Sequence, residues 1–305
     1  MREPSVQLAC DDLDAAIDFY TGDLGFRLDM IMPADAPRTA TVSGHGIAAR
    51  LTVEGQAPAP RVTTEFHICR AADNAWAPGR AGMQYRDLIA DRLGGRLIAS
   101  HIRIPDGGPV ADYVHYHRVQ FQMIYCRRGW VRVVYEDQGP PFVMQTGDCV
   151  LQPPLIRHRV LESSPGLEVI ELACPAEHET FREHDLELPT PHANPQRTYS
   201  GQRFVHHRAD EALWQNAADG LAFSDTGISQ ATGGLASVRI LRIAPSPMRA
   251  ETPVFLAILR GQAQLRSRML GTHTLEADDV CVIPKGADYI IDAAAPCEVL
   301  EVKLP

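Results

Sequence analysis

Apolar runs of four to eight residues, separated by Gly and Pro, recur along most of the chain, a length that fits strands better than helices. Leu97-Ile98-Ala99-Ser100-His101-Ile102-Arg103-Ile104, Val131-Arg132-Val133-Val134-Tyr135 and Val280-Cys281-Val282-Ile283 are examples. Many short strands between turn signals predict a β-sandwich or barrel. Helical periodicity is rare. In Asp12-Leu13-Asp14-Ala15-Ala16-Ile17-Asp18-Phe19-Tyr20, apolar residues fall at 13, 16, 17 and 20. Asp12 can cap this helix and Gly22 can end it. A second short helix is expected from Ala176 to His184.

The strand pattern occurs twice. Asp87–Pro105 (DLIADRLGGRLIASHIRIP) and Asp225–Pro245 (DTGISQATGGLASVRILRIAP) each carry a Gly-Gly pair followed by a strand ending before Pro. Further on, Gly129 matches Gly261 and Pro153 matches Pro284, at offsets of 132 and 131 residues. Two β units of one plan therefore lie in tandem. Leu188-Pro189-Thr190-Pro191-His192-Ala193-Asn194-Pro195 reads as a linker between them, and Gln56-Ala57-Pro58-Ala59-Pro60 as a spacer after a different N-terminal segment.

Composition narrows the class. The 305 residues are 45% hydrophobic and 22% charged, as in an ordinary globular protein. Against 29 Lys and Arg stand 38 Asp and Glu, a net charge of −9, which argues against binding nucleic acid or an anionic membrane. No apolar run is long enough to cross a bilayer, and Met1-Arg2-Glu3-Pro4-Ser5 does not resemble a signal peptide. Seven cysteines, with no CxxC pair, point to reduced thiols and a cytoplasmic location. Neither GxGxxG, a P-loop nor GxSxG is present, so nucleotide cofactors and the simplest serine hydrolase are not suggested.

The chemistry lies in the first repeat. It reads Gly108, six residues, His115-Tyr116-His117, four residues, Gln122, six residues, Gly129, and later Gly147, five residues, Pro153-Pro154-Leu155, two residues, His158. His115 and His117 share one face of a strand. Gln122 and His158 can converge on them if the strands close into a barrel. Three imidazoles and an amide oxygen can hold a divalent ion with positions left for water or substrate. An isolated HxH carries little weight, since twelve histidines in 305 residues give about 0.5 such triplets by chance. The joint pattern is more specific. It resembles the two-part motif of the cupin superfamily, with one extra residue before His115. Gln122 stands at the usual Glu, Leu155 at the usual Gly and Glu162 at the usual Asn.

The resemblance implies a mainly β fold. Two tandem cupin (double-stranded β-helix, jelly-roll) barrels are expected, preceded by a small α+β βαβββ module. It implies His115, His117, Gln122 and His158 as ligands of one divalent ion: Zn, Ni, Mn or Fe. Because Gln122 is neutral, the ion would keep its full charge, which favours Lewis-acid work over cycling with oxygen. Gln122 also cannot act as a base, so His101, Tyr113 and Arg132 are the candidates for proton transfer. Tyr113 shares strand parity with the HxH pair. His101 and Tyr113 are the expected catalytic residues.

In the second repeat, Arg249-Ala250-Glu251 falls where HxH is expected, Val254 or Phe255 replaces Gln122, and Tyr289 replaces His158. This reads as a metal-free barrel with an Arg249–Glu251 ion pair. A pocket for an acidic ligand at Arg249 and Lys285 is an alternative. The cluster around His178 and His184 is a lesser candidate for a second metal. The opening DLDAAIDFYTGDLGF is similar to the start of a vicinal-oxygen-chelate (glyoxalase-like) module, whose ligand positions would fall on Ser5 and Glu54. Ser5 is a poor ligand, so this half-module is expected to lack its own metal and to find its other half in a homodimer.

The expected domains are a half-module at 1–58, a metal-binding barrel at 80–185, a linker at 186–210 and a degenerate barrel at 211–305. The expected function is a metal-dependent enzyme that isomerises, cyclises or eliminates a small, polyoxygenated or anionic substrate. An Fe(II) dioxygenase and a non-catalytic ligand- or metal-binding bicupin are the alternatives.

Overall fold

The computed structural model describes residues 6–53, 66–79, 82–89, 92–217, 221–243 and 246–304. Ser5 and Glu54, the expected ligand positions of the N-terminal module, lie outside them. The module consists of β1 (Val6–Cys10), helix α1 (Leu13–Asp18), β2 (Arg27–Met32), β3 (Thr39–Gly44) and β4 (Ile47–Val53). Asp12 caps α1 by accepting from the Ala15 amide at 3.0 Å, and a wider turn at Phe19–Asp23 ends the helix. Leu13 packs on Ile31, Ala40, Val42 and Leu51, which form the module's own small core. The strand order is β1-β4-β3-β2, with β1 and β4 parallel.

The first barrel takes β6 to β20, after β5 (His67–Cys69): β6 (Ala77–Pro78), β7 (Gln84–Asp87), β8 (Ile98–Ile104), β9 (Gly108–Pro109), β10 (His115–His117), β11 (Phe121–Arg128), β12 (Trp130–Tyr135), β13 (Phe142–Gln145), β14 (Cys149–Leu151), β15 (His158–Ser163), β16 (Leu167–Cys174), β17 (Thr180–Arg182), β18 (Thr198–Tyr199), β19 (Gln202–Arg203) and β20 (Val205–His207). One sheet runs β17-β10-β15-β12-β13 and the other β20-β14-β11-β16-β8-β7-β6. Residues 176–184 are not the expected helix. Thr180–Arg182 is a strand, held by pairing with β10 on one side and β2 on the other. The N-terminal sheet therefore continues edge to edge into the first barrel. Part of the expected linker, 186–210, also belongs to this barrel, because β20 pairs with β14.

The second barrel follows with β21 (Trp214–Asn216), β22 (Ala222–Asp225), β23 (Ser237–Arg242), β24 (Ser246–Arg249), β25 (Val254–Arg260), β26 (Gln262–Ser267), β27 (Gly271–Glu276), β28 (Val280–Ile283), β29 (Asp288–Asp292) and β30 (Glu298–Lys303). Its sheets are β21-β22-β23-β30-β25-β28-β5 and β24-β29-β26-β27. The early strand β5 thus completes a sheet of the late barrel. The largest apolar cluster lies between the barrels: Leu97, Ala99, Met123 and Leu172 of one meet Phe255, Ala257, Val282 and Val302 of the other. Burying each of the larger side chains, Leu97, Met123, Leu172, Phe255, Val282 and Val302, contributes about 1.5–3 kcal/mol.

The repeat is visible in detail. Gly129 and Gly261 both have left-handed φ, +77° and +82°. A Cβ on Gly129 would strike Ser164 Oγ, and one on Gly261 would meet the Pro296 carbonyl at 2.5 Å. Leu155 keeps the glycine conformation of its motif position, φ +66°, as Gly286 does at +87°. The Leu155 amide donates to the His117 carbonyl, and the Gly286 amide to that of Ala250. Tyr289 pairs with Met248, as His158 pairs with His115. The counterparts of His115 and His117 are therefore Met248 and Ala250, one residue earlier than Arg249 and Glu251. Arg249 pairs instead with Asp288, at 2.9 Å on the surface.

Candidate metal centre

Three histidines are brought together inside the first barrel. β10 is only three residues long, and its alternation turns both His115 and His117 inward. His158, at the start of β15, lies directly across from His115. All three are buried, and one nitrogen of each lies within 4.8 Å of the others. The Nδ1 atoms face acceptors: the Tyr113 carbonyl at 2.8 Å from His115, the Ile156 carbonyl at 3.1 Å from His158 and Thr180 Oγ1 at 2.8 Å from His117. A carbonyl only accepts, so Nδ1 carries a proton in His115 and His158, which makes Nε2 the nitrogen able to bind an ion. Such outer bonds set the tautomer and aim of metal-binding imidazoles. A metal–nitrogen bond is about 2.1 Å, so a single ion can bridge the cluster after small side-chain adjustments.

Gln122, on β11, is buried and lines the same cavity. Its Nε2 donates to Glu171 Oε1 at 2.7 Å. Glu171, on β16, is the diagonal neighbour of Gln122 across the sheet: Gln122 pairs with Ala173, and Ile124 with Glu171. An ionised carboxylate only accepts, so it fixes which way the amide points and leaves the Gln122 oxygen for an ion. The donor set of three imidazoles and one amide oxygen fits a divalent metal. The neutral amide does not leave the site without a carboxylate, because Glu171 supplies one a single hydrogen bond further out.

The cavity measures about 130 Å³. Ile98, Ile102, Ile124, Val131 and Val160 give it apolar walls, and Ser100, Gln152 and His178 add polar groups. His178 Nδ1 lies 2.9 Å from the Pro175 carbonyl, and its ring centre is 5.5 Å from that of His117. Tyr135 stacks on His158, with its hydroxyl bonded to Gln152. Burial pushes the Tyr135 phenol well above its ordinary value, so it remains a neutral donor.

The residues expected to be catalytic do not line this cavity. Ile98, Ser100, Ile102 and Ile104 are the inward positions of β8. His101 has the opposite parity and faces the second barrel, beside Trp76. Arg86 donates to its Nδ1 at 2.8 Å, and its Nε2 lies 2.9 Å from Glu168. Burial holds the His101 pKa below its ordinary value, and its bond lowers that of Glu168. Tyr113 precedes β10, so strand parity does not extend to it. Its carbonyl holds His115, while its ring lies under the Arg182 guanidinium. Arg132 pairs with Glu162 at 3.0 Å. His178 and His184 separate: His178 enters the cavity, while His184 bonds the Leu28 carbonyl at the module edge. Glu171 is not among the residues expected from the sequence, and His178 is there only as part of a cluster with His184. No motif spacing points to either.

The barrels resemble solved bicupins. The oxalate decarboxylase of Lactobacillus farciminis, in complex with formate, matches with a TM-score of 0.55 at 17% identity, over 78% of this chain and 86% of that one. A Bacillus subtilis oxalate decarboxylase variant matches at 0.56 and 15%, over 83% and 80%. A further Bacillus subtilis structure, concerned with an element that modulates proton-coupled electron transfer, matches at 0.55 and 15%, over 83% and 80%. At these identities the likeness shows the fold. The family model of the Glyoxalase/Bleomycin resistance protein/Dioxygenase superfamily matches residues 4–135, which contain the βαβββ module. No curated protein matches the chain.

Proposed function

We propose that the first barrel is a metal-dependent active site for a small oxygen-rich substrate, with His115, His117, His158 and the Gln122 oxygen holding one divalent ion. The observation that carries this reading is the convergence of three histidines whose outer nitrogens are held by Tyr113, Ile156 and Thr180. A metal bound there would supply Lewis acidity toward carbonyl or carboxylate oxygens. The small cavity and the oxalate and formate of the fold relatives favour a substrate bearing a carboxylate.

The protein's own groups do the remaining work. The apolar wall excludes water and strengthens each polar contact. His178, with Nδ1 turned to the Pro175 carbonyl, presents Nε2 to orient the substrate. Glu171 keeps the Gln122 amide in place and is the carboxylate beside the site that can take up a proton released by the substrate. Neither His101 nor Tyr113 is catalytic on this reading: His101 is held by Arg86 and Glu168 away from the cavity, and the Tyr113 carbonyl aims His115. Non-redox chemistry is the leading reaction class, because no carboxylate is among the four ligands. Redox chemistry, including an Fe(II) dioxygenase, is the second reading, favoured by the relative studied for proton-coupled electron transfer. Oxygen uptake by the Fe(II)- and Zn(II)-loaded proteins with a panel of keto and hydroxy acids distinguishes them. Turnover without oxygen supports the first, and oxygen-dependent turnover confined to iron supports the second.

The N-terminal module is a metal-free companion of the barrel in this reading. Its β2 edge is completed within the chain by β17, while β1 pairs only with β4 among the described residues. The open β1 edge is the place for a homodimer contact. No helix is long and apolar enough to cross a membrane among the described residues.

A further inference from the structure

We propose that Asp35, carried by the N-terminal module, is a specificity-determining residue of the barrel cavity: it accepts a hydrogen bond from a hydroxyl at the end of the substrate that does not bind metal. The inference rests on the active-site reading above for its chelated end.

Ala34 and Asp35 lie in the loop between β2 and β3, yet both line the cavity that holds the histidine cluster. The loop is pinned over it from several sides. Asp35 Oδ2 pairs with Arg92 at 2.6 Å, and Arg38 pairs with Glu177 at 2.7 Å. The Arg38 amide donates to the Met32 carbonyl, and the Arg38 carbonyl accepts from Val53. The sheet makes the same connection from below: Ile31 of β2 pairs with Thr180, which pairs with His117 and bonds its Nδ1. The module is thus one wall of the site and helps support a ligand's partner.

The chemistry of the loop selects a donor. Asp35 Oδ1 is shielded from solvent and has no hydrogen-bond partner. Leaving such an acceptor unsatisfied is unfavourable, and a ligand donor would relieve that. Arg92 also pairs with Asp87 at 3.0 Å, so one guanidinium answers two carboxylates and the local charge is −1. A second ligand carboxylate is repelled there, whereas a hydroxyl is welcome. A site built around a polar group discriminates strongly against ligands that lack its complement.

The test compares butyrate, 4-hydroxybutyrate and succinate by calorimetry, on the metal-free and the Mn(II)-loaded protein. The native protein should bind 4-hydroxybutyrate about tenfold more tightly than either of the others. In Asp35→Asn, the side-chain oxygen turns to Arg92 and the amide nitrogen becomes a donor. The preference over succinate should disappear as succinate gains, while the hydroxyl, which can also accept from the new amide, keeps its lead over butyrate, with butyrate affinity and metal content unchanged. Asp35→Ala should abolish the preference without the gain. Equal binding of butyrate and 4-hydroxybutyrate by the native protein, or a preference that survives both substitutions, overturns the assignment. If Mn(II) does not strengthen carboxylate binding, the metal reading fails, while the hydroxyl preference of the metal-free protein still decides the role of Asp35.

Discussion

Glu171 and Glu301 hold the same register position in two copies of one strand plan, and their surroundings differ. Glu171 lies opposite Ile124 and Ser100, and Glu301 opposite Leu256 and Arg239. In the second barrel the chain supplies the cation, since Arg239 Nε donates to Glu301 at 2.9 Å. The rest of that interior is packed by residues such as Leu256, Leu265, Tyr289 and Ile291. In the first barrel, Ser100 leaves the space open and the carboxylate turns to Gln122, behind three histidines. One plan therefore yields a solid support and a lined cavity, and the difference lies in what meets the carboxylate: a guanidinium at the buried Glu301, the neutral Gln122 amide at the half-buried Glu171.

The largest effect is expected from emptying the first barrel of its histidines. His115→Ala combined with His158→Ala should take metal content from about one ion per chain to none, by elemental analysis, with the fold retained by circular dichroism. Next is the second barrel's own cation. Arg239→Ser copies the first barrel but leaves Glu301 buried and unpaired. It should cost about 3–5 kcal/mol in denaturant unfolding, and Arg239→Met with Glu301→Leu should recover most of that. A loss below about 1 kcal/mol would mean that Glu301 does not depend on the Arg239 guanidinium.

Glu171→Gln should weaken metal binding about 10–100-fold, measured by competition with a chelator. Gln122→Glu with Glu171→Gln keeps the hydrogen bond in reversed form and should restore it. No recovery would remove the positioning role of Glu171. The smallest effect concerns the seam between the barrels. The His101 pKa is lowered by burial, so between its folded value and the ordinary value of about 6.5 the unfolded chain binds the extra proton. Stability should therefore fall as pH drops below that value. His101→Gln, which can still accept from Arg86 and donate to Glu168, should flatten the slope of melting temperature against pH between neutrality and the carboxylate range.

Much of this comparison was legible in the residues. The Gly129/Gly261 and Pro153/Pro284 offsets gave the tandem barrels because tight turns constrain residue type and spacing together. The four ligand candidates came from the resemblance of the first repeat to the cupin motif. The exact counterpart of HxH did not, because a one-residue shift in a strand leaves no mark in composition and is settled only by pairing. Tyr113 was assigned by parity beyond the end of a three-residue strand. His101 lies on a strand buried on both faces, where alternation does not distinguish cavity from seam. Glu171 and Asp35 reach the site from distant segments through sheet neighbours, and no local pattern announces that. The helix expected at 176–184 yielded to two strand edges, β2 and β10, that needed a partner.

The central claim is the metal centre. The most direct measurement is metal content with X-ray absorption spectroscopy on protein purified without added metal. The account predicts about one divalent ion per chain, in a nitrogen and oxygen shell with the signature of three imidazoles. A protein that neither retains nor takes up metal, or an ion whose shell lacks imidazole, would contradict it.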